Sequence, residues 1–194
     1  MTCDFHAVVI GVSAGGFKAL HAFLPMLPED FACPVIIVQH RMASEDTFFV
    51  ESLNRICRLR VKEAEDKEKI TDKSVYIAPG DYHVLIEKDK TLSLSVDEPI
   101  SYARPSIDVL FETAARVFGP HLVGVILTGA NSDGTEGIKC IKAANGLTIA
   151  QNPESAEVGV MPLSAIKSGC VDFILPLEDI PSFIIGLLEN VHGQ

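Results

Sequence analysis

Residues 7–16 read Ala-Val-Val-Ile-Gly-Val-Ser-Ala-Gly-Gly, a nearly all-apolar run that ends in a serine, an alanine and two glycines. A continuous apolar run of this length is typical of a strand buried on both faces, as in a parallel sheet. The small residues after it predict a sharp turn into a helix, because glycine tolerates backbone bends that other residues avoid. This stretch therefore predicts an α/β fold whose first strand ends at a turn that exposes Ser13.

Five more short apolar runs follow, separated by helix-length segments, at residues 35–39, 75–78, 122–127, 147–151 and 173–175. Strands that alternate with helices indicate a parallel sheet with helices on both faces. Residues 83–96 alternate apolar and polar side chains around Lys-Asp-Lys, which predicts an antiparallel hairpin at an edge, and the charged residues 62–73 predict a solvated connection. We expect a single domain over residues 1–194, with a three-layer, doubly wound α/β fold, a mainly parallel sheet and an antiparallel hairpin.

The composition excludes several classes of function. The 194 residues include 26 acidic and 16 basic side chains, and the net charge of −10 argues against nucleic-acid binding. No apolar stretch reaches the roughly 18 residues of a membrane span, and the N-terminus lacks the basic flank of a signal peptide, so we expect a cytoplasmic protein without membrane insertion. The five cysteines are widely spaced, which favours reduced, mostly buried thiols over disulfides or a metal site: Cys3, Cys33, Cys57, Cys140 and Cys170.

Polar residues at the carboxyl ends of the predicted strands are the first candidates for a functional site, because ligands of parallel α/β sheets bind there. Ser13 lies in a G-x-S-x-G turn after the first strand, His40 follows the second, and Asp133 lies between glycines after the strand at 122–127. Each has a structural alternative. The turn at Ser13 also suits a bound phosphate, His40 suits a hydrogen-bonded boundary position, and Asp133 suits the N-cap of the next helix.

Together the three side chains supply the parts of a nucleophilic triad: a hydroxyl, a proton acceptor and a carboxylate that fixes the imidazole tautomer. Their chain order, Ser-His-Asp, differs from the Ser-Asp-His order of α/β-hydrolases. Two other classes stay open. One is a non-catalytic module that binds an anion or a peptide beside a vestigial triad, and the more remote one is a dinucleotide-dependent dehydrogenase.

The motifs resemble those of the catalytic domain of the chemotaxis protein-glutamate methylesterases, the CheB family. The resemblance covers nearly the whole chain through these stretches: IGVSAGG at 10–16, VQH at 38–40, IAPGDYH at 77–83, RPSID at 104–108, LTG and SDG within 127–134, IAQN at 149–152 and MP at 161–162. It implies a serine hydrolase without a cofactor. The enzyme would remove methyl esters from glutamyl side chains of chemoreceptor cytoplasmic helices, releasing methanol, and would also deamidate receptor glutamines.

Carried over position by position, the resemblance makes Ser13 the nucleophile, His40 the general base and Asp133 the residue that orients the base. Backbone N–H groups near Ala14 and in the loop Gly129-Ala130-Asn131 would form the oxyanion hole. Family members read Gly-Met-Gly in that loop, so Asn131 must adopt the backbone geometry of a glycine. Ala130 is expected to act through its backbone N–H, which does not depend on its side chain.

Three further side chains are candidates for substrate contact. Arg41 departs from the family pattern Gln-His-Met-Pro and puts a cation beside His40, where it repels a protonated imidazole or contacts an acidic substrate. Arg104 is a candidate for docking an acidic receptor helix, with a helix start capped at or near Ser106 as its structural alternative. Met161 is the third. Many family members carry a receiver domain ahead of the first strand, and the few residues before that strand here leave no room for one. We therefore expect either a stand-alone esterase or a catalytic fragment, with a separate receiver-type regulator as a partner.

Overall fold

The computed structural model describes residues 5–41, 46–100 and 102–192. The predictions that rest on residues 1–4, the missing signal peptide and the thiol of Cys3, lie outside the described residues. The strands are β1 (Ala7–Val12), β2 (Val35–Gln39), β3 (Arg60–Glu63), β4 (Ser74–Ile77), β5 (His83–Ile86), β6 (Leu92–Ser95), β7 (Leu122–Ile126), β8 (Leu147–Gln151) and β9 (Phe173–Leu175). The helices are α1 (Gly16–Phe23), α2 (Asp46–Ile56), α3 (Ile107–Phe118), α4 (Thr135–Ala143), α5 (Val160–Lys167) and α6 (Asp179–His192), and short 3-10 helices lie at Leu24–Met26 and Gly119–His121.

Seven strands form one parallel sheet in the order β3-β4-β2-β1-β7-β8-β9. Alternate residues of β1 point to opposite faces. Val8 and Ile10 join the core that includes α1 and α6, whereas Ala7 and Val9 join the core that includes α3, α4 and α5. All six residues of β1 are buried, which is why the strand is a continuous apolar run. The prediction of a three-layer, doubly wound α/β fold is confirmed.

The predicted hairpin forms between β5 and β6, in antiparallel register from His83 opposite Ser95 to Ile86 opposite Leu92. It does not extend the main sheet at an edge, as the sequence suggests, but forms a separate two-stranded sheet. Its buried residues Val84, Ile86 and Leu92 share one core with α3. The hairpin therefore covers α3 from outside and brings the first residue of β5, His83, close to the start of that helix.

The sequence does not predict β3, the edge strand that pairs with β4. Its residues Lys62 and Glu63 fall in the stretch expected to be a solvated connection, and for them that prediction is wrong. An edge strand needs little apolar sequence, because one of its sides lacks a neighbouring strand and faces solvent. Only Val61 is buried in β3, so the strand has no apolar run to reveal it.

None of the four cysteines in the described residues forms a disulfide bond. Cys33 is buried, and its thiol donates to the carbonyl oxygen of Phe5 at 3.0 Å. Cys57, Cys140 and Cys170 are half-buried, so the expectation of mostly buried thiols holds for Cys33 alone among them. Burial raises the pKa of the Cys57 thiol to about 11, which keeps that thiol protonated at neutral pH.

Helices α3 and α4 lie side by side, and each start is capped by a carboxylate from the other segment. Oδ2 of Asp133, just before α4, accepts the backbone N–H of Ile107 at 2.7 Å, and Oδ1 accepts that of Asp108 at 3.1 Å. In return, Oδ1 of Asp108 accepts the N–H of Gly137 in α4 at 2.7 Å. Each carboxylate thus accepts N–H groups that a helix start leaves without an intrahelical acceptor, and the exchange fixes the relative position of the two helices.

Asp133 does not cap its own helix, which was the structural alternative for this residue. The residue before α4 is Gly134, with φ of 93° and no side-chain cap. A Cβ at Gly134 would lie 2.8 Å from Cγ2 of Ile107. The position therefore requires glycine both for its left-handed backbone and for the close approach of α3.

The ionised carboxylate of Asp108 lowers the stability of the native state, and the size of this effect depends on pH. Burial, together with the nearby charge of Asp133, raises the pKa of Asp108 to about 6. In the unfolded chain the carboxyl group has its ordinary pKa of about 3.9. The native state therefore binds this proton more tightly than the unfolded state does, and the free energy of unfolding falls as the pH rises from about 4 to about 6.

Replacing Asp108→Asn removes this titration and keeps an oxygen for the N–H of Gly137. We expect the variant to be more stable than the unsubstituted protein by about 1 kcal/mol at neutral pH, a figure reduced for the partial exposure of the carboxylate. The difference should shrink as the pH falls from about 6 to about 4. Urea unfolding across this range measures it, and a difference that is constant with pH would contradict the raised pKa.

Candidate active site

The three predicted triad residues lie at the ends of neighbouring strands, because β2, β1 and β7 are adjacent in the sheet. His40 directly follows β2, Ser13 directly follows β1, and Asp133 lies in the loop after β7. From β1 the chain proceeds to β2 on one side and later returns to β7 on the other side. The strand order thus reverses at β1, and at such a switch point a doubly wound sheet forms its crevice.

The turn at Ser13 is held by backbone hydrogen bonds and by a glycine. The N–H of Ser13 donates to the carbonyl oxygen of Thr128 at 2.9 Å, and the N–H of Gly16 donates to the carbonyl oxygen of Ser13 at 2.8 Å. Gly15 has φ of 80°, and a Cβ there would lie 2.8 Å from Cβ of Glu157. A larger residue at this position would therefore meet both backbone strain and overlap.

Ser13, His40 and Asp133 form a continuous chain of hydrogen bonds. Nε2 of His40 lies 2.7 Å from Oδ2 of Asp133, and Nδ1 of His40 lies 3.1 Å from Oγ of Ser13. Because a carboxylate only accepts, the neutral ring carries its hydrogen on Nε2 and keeps the lone pair of Nδ1 toward Ser13. The hydroxyl of Ser13 can then donate to Nδ1, which is the arrangement of a nucleophile beside its general base.

Asp133 keeps its negative charge although its surface is only 1% exposed. Burial opposes ionisation, but hydrogen bonds from His40 and from the N–H groups of Ile107 and Asp108 hold the pKa of Asp133 below its usual range. The hydroxyl of Ser106 donates to Oδ1 at 3.0 Å as well. A carboxylate that stays charged can hold the imidazole in place and stabilise the imidazolium that forms when His40 accepts a proton.

Ser106 contacts Asp133 directly, and His83 contacts Ser106. The sequence does not predict either role. The hydroxyl of Ser106 donates to Asp133 and makes no cap bond to α3, so the predicted cap is replaced by the carboxylate. The N–H of Ser106 donates to Nδ1 of His83 at 3.2 Å, and Nε2 of His83 donates to the carbonyl oxygen of Glu98 at 3.2 Å. The available signal is their position in the motifs RPSID and IAPGDYH.

Gln39 and Thr128 hold the catalytic loops together, and sequence reasoning assigns no role to them either. Nε2 of Gln39 donates to the carbonyl oxygens of Ser13 at 3.0 Å and of His40 at 3.2 Å. Oγ1 of Thr128 donates to the carbonyl oxygen of Ala14 at 2.8 Å. Both side chains are buried. The sequence signal for them is a polar residue at the end of an apolar run.

Of the backbone N–H groups predicted to form an oxyanion hole, one already donates to another carbonyl oxygen. The N–H of Gly129 donates to the carbonyl oxygen of Val158 at 2.9 Å, so the prediction is wrong for Gly129. The N–H groups of Ala14, Ala130 and Asn131 donate to no acceptor within the described part of the chain. Asn131 also has a negative φ, so the loop does not require the left-handed backbone of a glycine there.

An open groove of about 490 Å³ lies next to Ser13. Its rim carries an ion pair between Lys18 and Glu157 at 2.9 Å and the ring of Phe17, which is 46% exposed. A groove that is open to solvent suits a side chain presented from the surface of a large substrate. The lining residues are Ser13, Ala14, Gly15, Gly16, Phe17, Lys18, Gln39, His40 and Glu157.

Arg41 is not a free cation for an acidic substrate, so that prediction is wrong. Its side chain is 4% exposed and pairs with Glu63 at 2.7 Å. The guanidinium also donates to the carbonyl oxygen of Ala78 at 3.0 Å and lies over the ring of Phe49. Glu63 compensates the charge, and the contacts tie the loop after β2 to the edge of the sheet.

Arg104 and Met161 do not line the groove. The docking of an acidic helix by Arg104 stays a prediction. Nη1 of Arg104 donates to the carbonyl oxygens of Val96 at 2.8 Å and Asp97 at 3.1 Å, which links the segment after β6 to the start of α3. Met161 is fully buried, and a Cβ at Gly129 would lie 2.6 Å from its Cε. The predicted substrate contact is therefore wrong for Met161, which supports the Gly129 loop from inside.

Within residues 5–41, 46–100 and 102–192, no group of three or more His, Cys, Asp or Glu side chains is placed to hold a metal ion. In the same residues, no helix combines the length and the hydropathy that crossing a bilayer requires.

Comparison with known proteins identifies the family. The family model described as CheB methylesterase matches residues 8–184. A relative from Leptospira interrogans, provisionally named protein-glutamate methylesterase/protein-glutamine glutaminase, is 51% identical over 187 residues, which cover 96% of this chain and 97% of the relative. The enzyme of that name from Pyrococcus horikoshii is 37% identical over 190 residues, and this chain spans 52% of its length.

The catalytic domain of the CheB methylesterase of Thermotoga maritima, known from its crystal structure, has the same fold. It superposes with a TM-score of 0.90 at 36% sequence identity, and the match covers 96% of this chain and 99% of that domain. The family model and the structural match both cover nearly the whole chain, and the chain belongs to the CheB methylesterase family.

Proposed function

We propose that this protein is a serine hydrolase that cleaves the methyl ester of glutamate side chains in a protein substrate and releases methanol. The observation that carries the proposal is the continuous hydrogen-bonded chain from Oγ of Ser13 through His40 to the buried carboxylate of Asp133. Family membership and the names of the relatives support the same activity.

In the first half of the reaction, Oγ of Ser13 attacks the ester carbonyl carbon while its proton passes to Nδ1 of His40. Asp133 accepts a hydrogen bond from Nε2–H of His40 throughout and stabilises the positive charge of the ring. The carbonyl oxygen becomes an oxyanion, for which the N–H groups of Ala14 and Ala130 are the proposed donors. A donor of this kind contributes roughly 3 kcal/mol of transition-state stabilisation.

In the second half, the tetrahedral intermediate collapses, and methanol departs with the proton from Nδ1 of His40. Water then attacks the glutamyl–Ser13 ester, with His40 taking its proton and returning one to Oγ. The products are a glutamate carboxylate and free enzyme. The same steps on a glutamine side chain release ammonia, which accounts for the second activity in the names of the relatives.

The proposed substrate is a methylated glutamate on a chemoreceptor cytoplasmic helix. An open groove next to Ser13, with the exposed ring of Phe17 at its rim, supports a substrate that presents one side chain from a large surface. The cytoplasm as the location and a separate receiver-type protein as the regulator stay predictions. The alternative of a non-catalytic module with a vestigial triad is not supported, and neither is a dehydrogenase, because the triad is fully assembled and the family is one of hydrolases.

Replacing Ser13→Ala removes the nucleophile and should lower methanol release from methylated receptor membranes by a factor of about 10³ to 10⁶. A fluorophosphonate should label the unsubstituted protein at Ser13 and leave the variant unlabelled. Thermal unfolding should be nearly unchanged, because the backbone bonds of the turn do not involve the hydroxyl.

A matched control for this experiment is Ser132→Ala, which removes an exposed hydroxyl from the loop that carries Asp133. We expect it to retain full labelling and turnover. Wild-type methanol release by the Ser13→Ala variant would eliminate the triad mechanism.

Replacing Asp133→Asn should reduce turnover by a factor of about 10² to 10⁴, because an amide can neither fix the Nε2–H tautomer nor balance the imidazolium. It should also lower the free energy of unfolding by about 1–3 kcal/mol, since α3 loses a charged cap. Because the native pKa of Asp133 is depressed, this loss of stability should be complete at neutral pH and should disappear as the pH falls below about 4.

The control for Asp133→Asn is Asp108→Asn, the same chemical change at the other member of the capping pair. Asp108 makes no hydrogen bond to His40, so this variant should keep most of its turnover. Equal losses of turnover in the two variants would show that helix capping, and not contact with His40, explains the role of Asp133.

A further inference from the structure

The side chain of Asn131 lies beside the catalytic base in a fixed orientation. Its Oδ1 accepts the backbone N–H of Asp133 at 3.1 Å, and its Nδ2 lies 3.4 Å from Nδ1 of His40. A backbone N–H can only donate, so the amide oxygen must face Asp133. The amide NH₂ group is therefore directed at the lone pair of His40.

Nδ1 of His40 is the atom that receives the proton of Ser13 and later transfers it to the leaving group. In the free enzyme, the nucleophile and the Asn131 amide both lie next to this atom, at 3.1 and 3.4 Å. A leaving atom that approaches Nδ1 from the side of Asn131 lies next to the Asn131 NH₂ group. The side chain of Asn131 thus faces the position where an ester and an amide substrate differ.

The two substrates differ in the lone pairs that they offer there. In the tetrahedral intermediate, a methoxy oxygen has two lone pairs, one for the Nδ1–H of His40 and a second for the Asn131 amide. An amine nitrogen at the same position has a single lone pair, which Nδ1–H must use to protonate it, and its own N–H groups face the Asn131 donor. A donor left without an acceptor in a partly buried site is unfavourable.

We infer that Asn131 is a specificity-determining residue that makes this enzyme favour ester hydrolysis over amide hydrolysis. The inference rests on the proposed function and assigns the side chain of Asn131 a role separate from that of its backbone N–H. It concerns the transition state, so it affects the ratio of kcat/KM values for the two reactions, whereas a purely structural role would change both values together.

The test uses a chemoreceptor cytoplasmic fragment with one modification site, prepared either as glutamate methyl ester or as glutamine, and measures methanol and ammonia. Asn131→Ala removes the donor and should lower the ester-to-amide ratio of kcat/KM about ten-fold. Asn131→Asp keeps an oxygen for the N–H of Asp133 and puts an acceptor in place of the donor, so it should lower the ratio further. Ser132→Ala, in the same loop, should leave the ratio unchanged.

The outcomes separate this inference from the proposed function. An ester-to-amide ratio that stays constant in both Asn131 variants, while methanol is released, would overturn the inference alone. A ratio that rises would overturn it too. Failure of the unsubstituted protein to release methanol from the ester fragment would overturn the proposed function and the inference with it. Ammonia release that becomes measurable only in the Asn131 variants would support the inference.

Discussion

The burial of one ionised carboxylate, that of Asp133, is the constraint on which the site and much of the fold depend. A charge in the interior is strongly unfavourable unless polar groups replace the water it has lost. Here the replacement comes from the His40 ring, the Ser106 hydroxyl and the N–H groups at the start of α3. These donors belong to two separate segments, so the loop after β2 and the start of α3 must both meet the loop after β7.

This constraint also explains how the exchange of caps between α3 and α4 serves the chemistry. The N–H groups of α3 hold Asp133, and Asp108 in α3 holds the start of α4 next to it. The two carboxylates are close enough that the charge of Asp133 contributes to the raised pKa of Asp108. The protein thus accepts an unfavourable ionised group at Asp108 in an arrangement that holds Asp133 next to His40, as is common where stability and activity compete.

The parts of the site that depend on chain topology can be predicted from the sequence. Ser13, His40 and Asp133 each follow an apolar strand, and in a parallel sheet such positions share one edge. Side-chain direction is harder to predict. Arg41 has the charge of a surface residue but is buried against Glu63, a residue of the edge strand that the sequence does not reveal. The role of Ser106 depends on a contact with Asp133 that no periodic pattern records.

The loop Gly129-Ala130-Asn131 illustrates how a site can tolerate a changed sequence. Gly129 is constrained, because Met161 fills the space a side chain would need. The N–H of Ala130 donates to no acceptor among the described residues, and its side chain is exposed, so this position is free to vary. Asn131 contributes a hydrogen bond to the N–H of Asp133 that glycine could not make, which ties the loop to the triad. The same bond directs the amide at His40, so a change that is neutral for the backbone places a polar side chain beside His40.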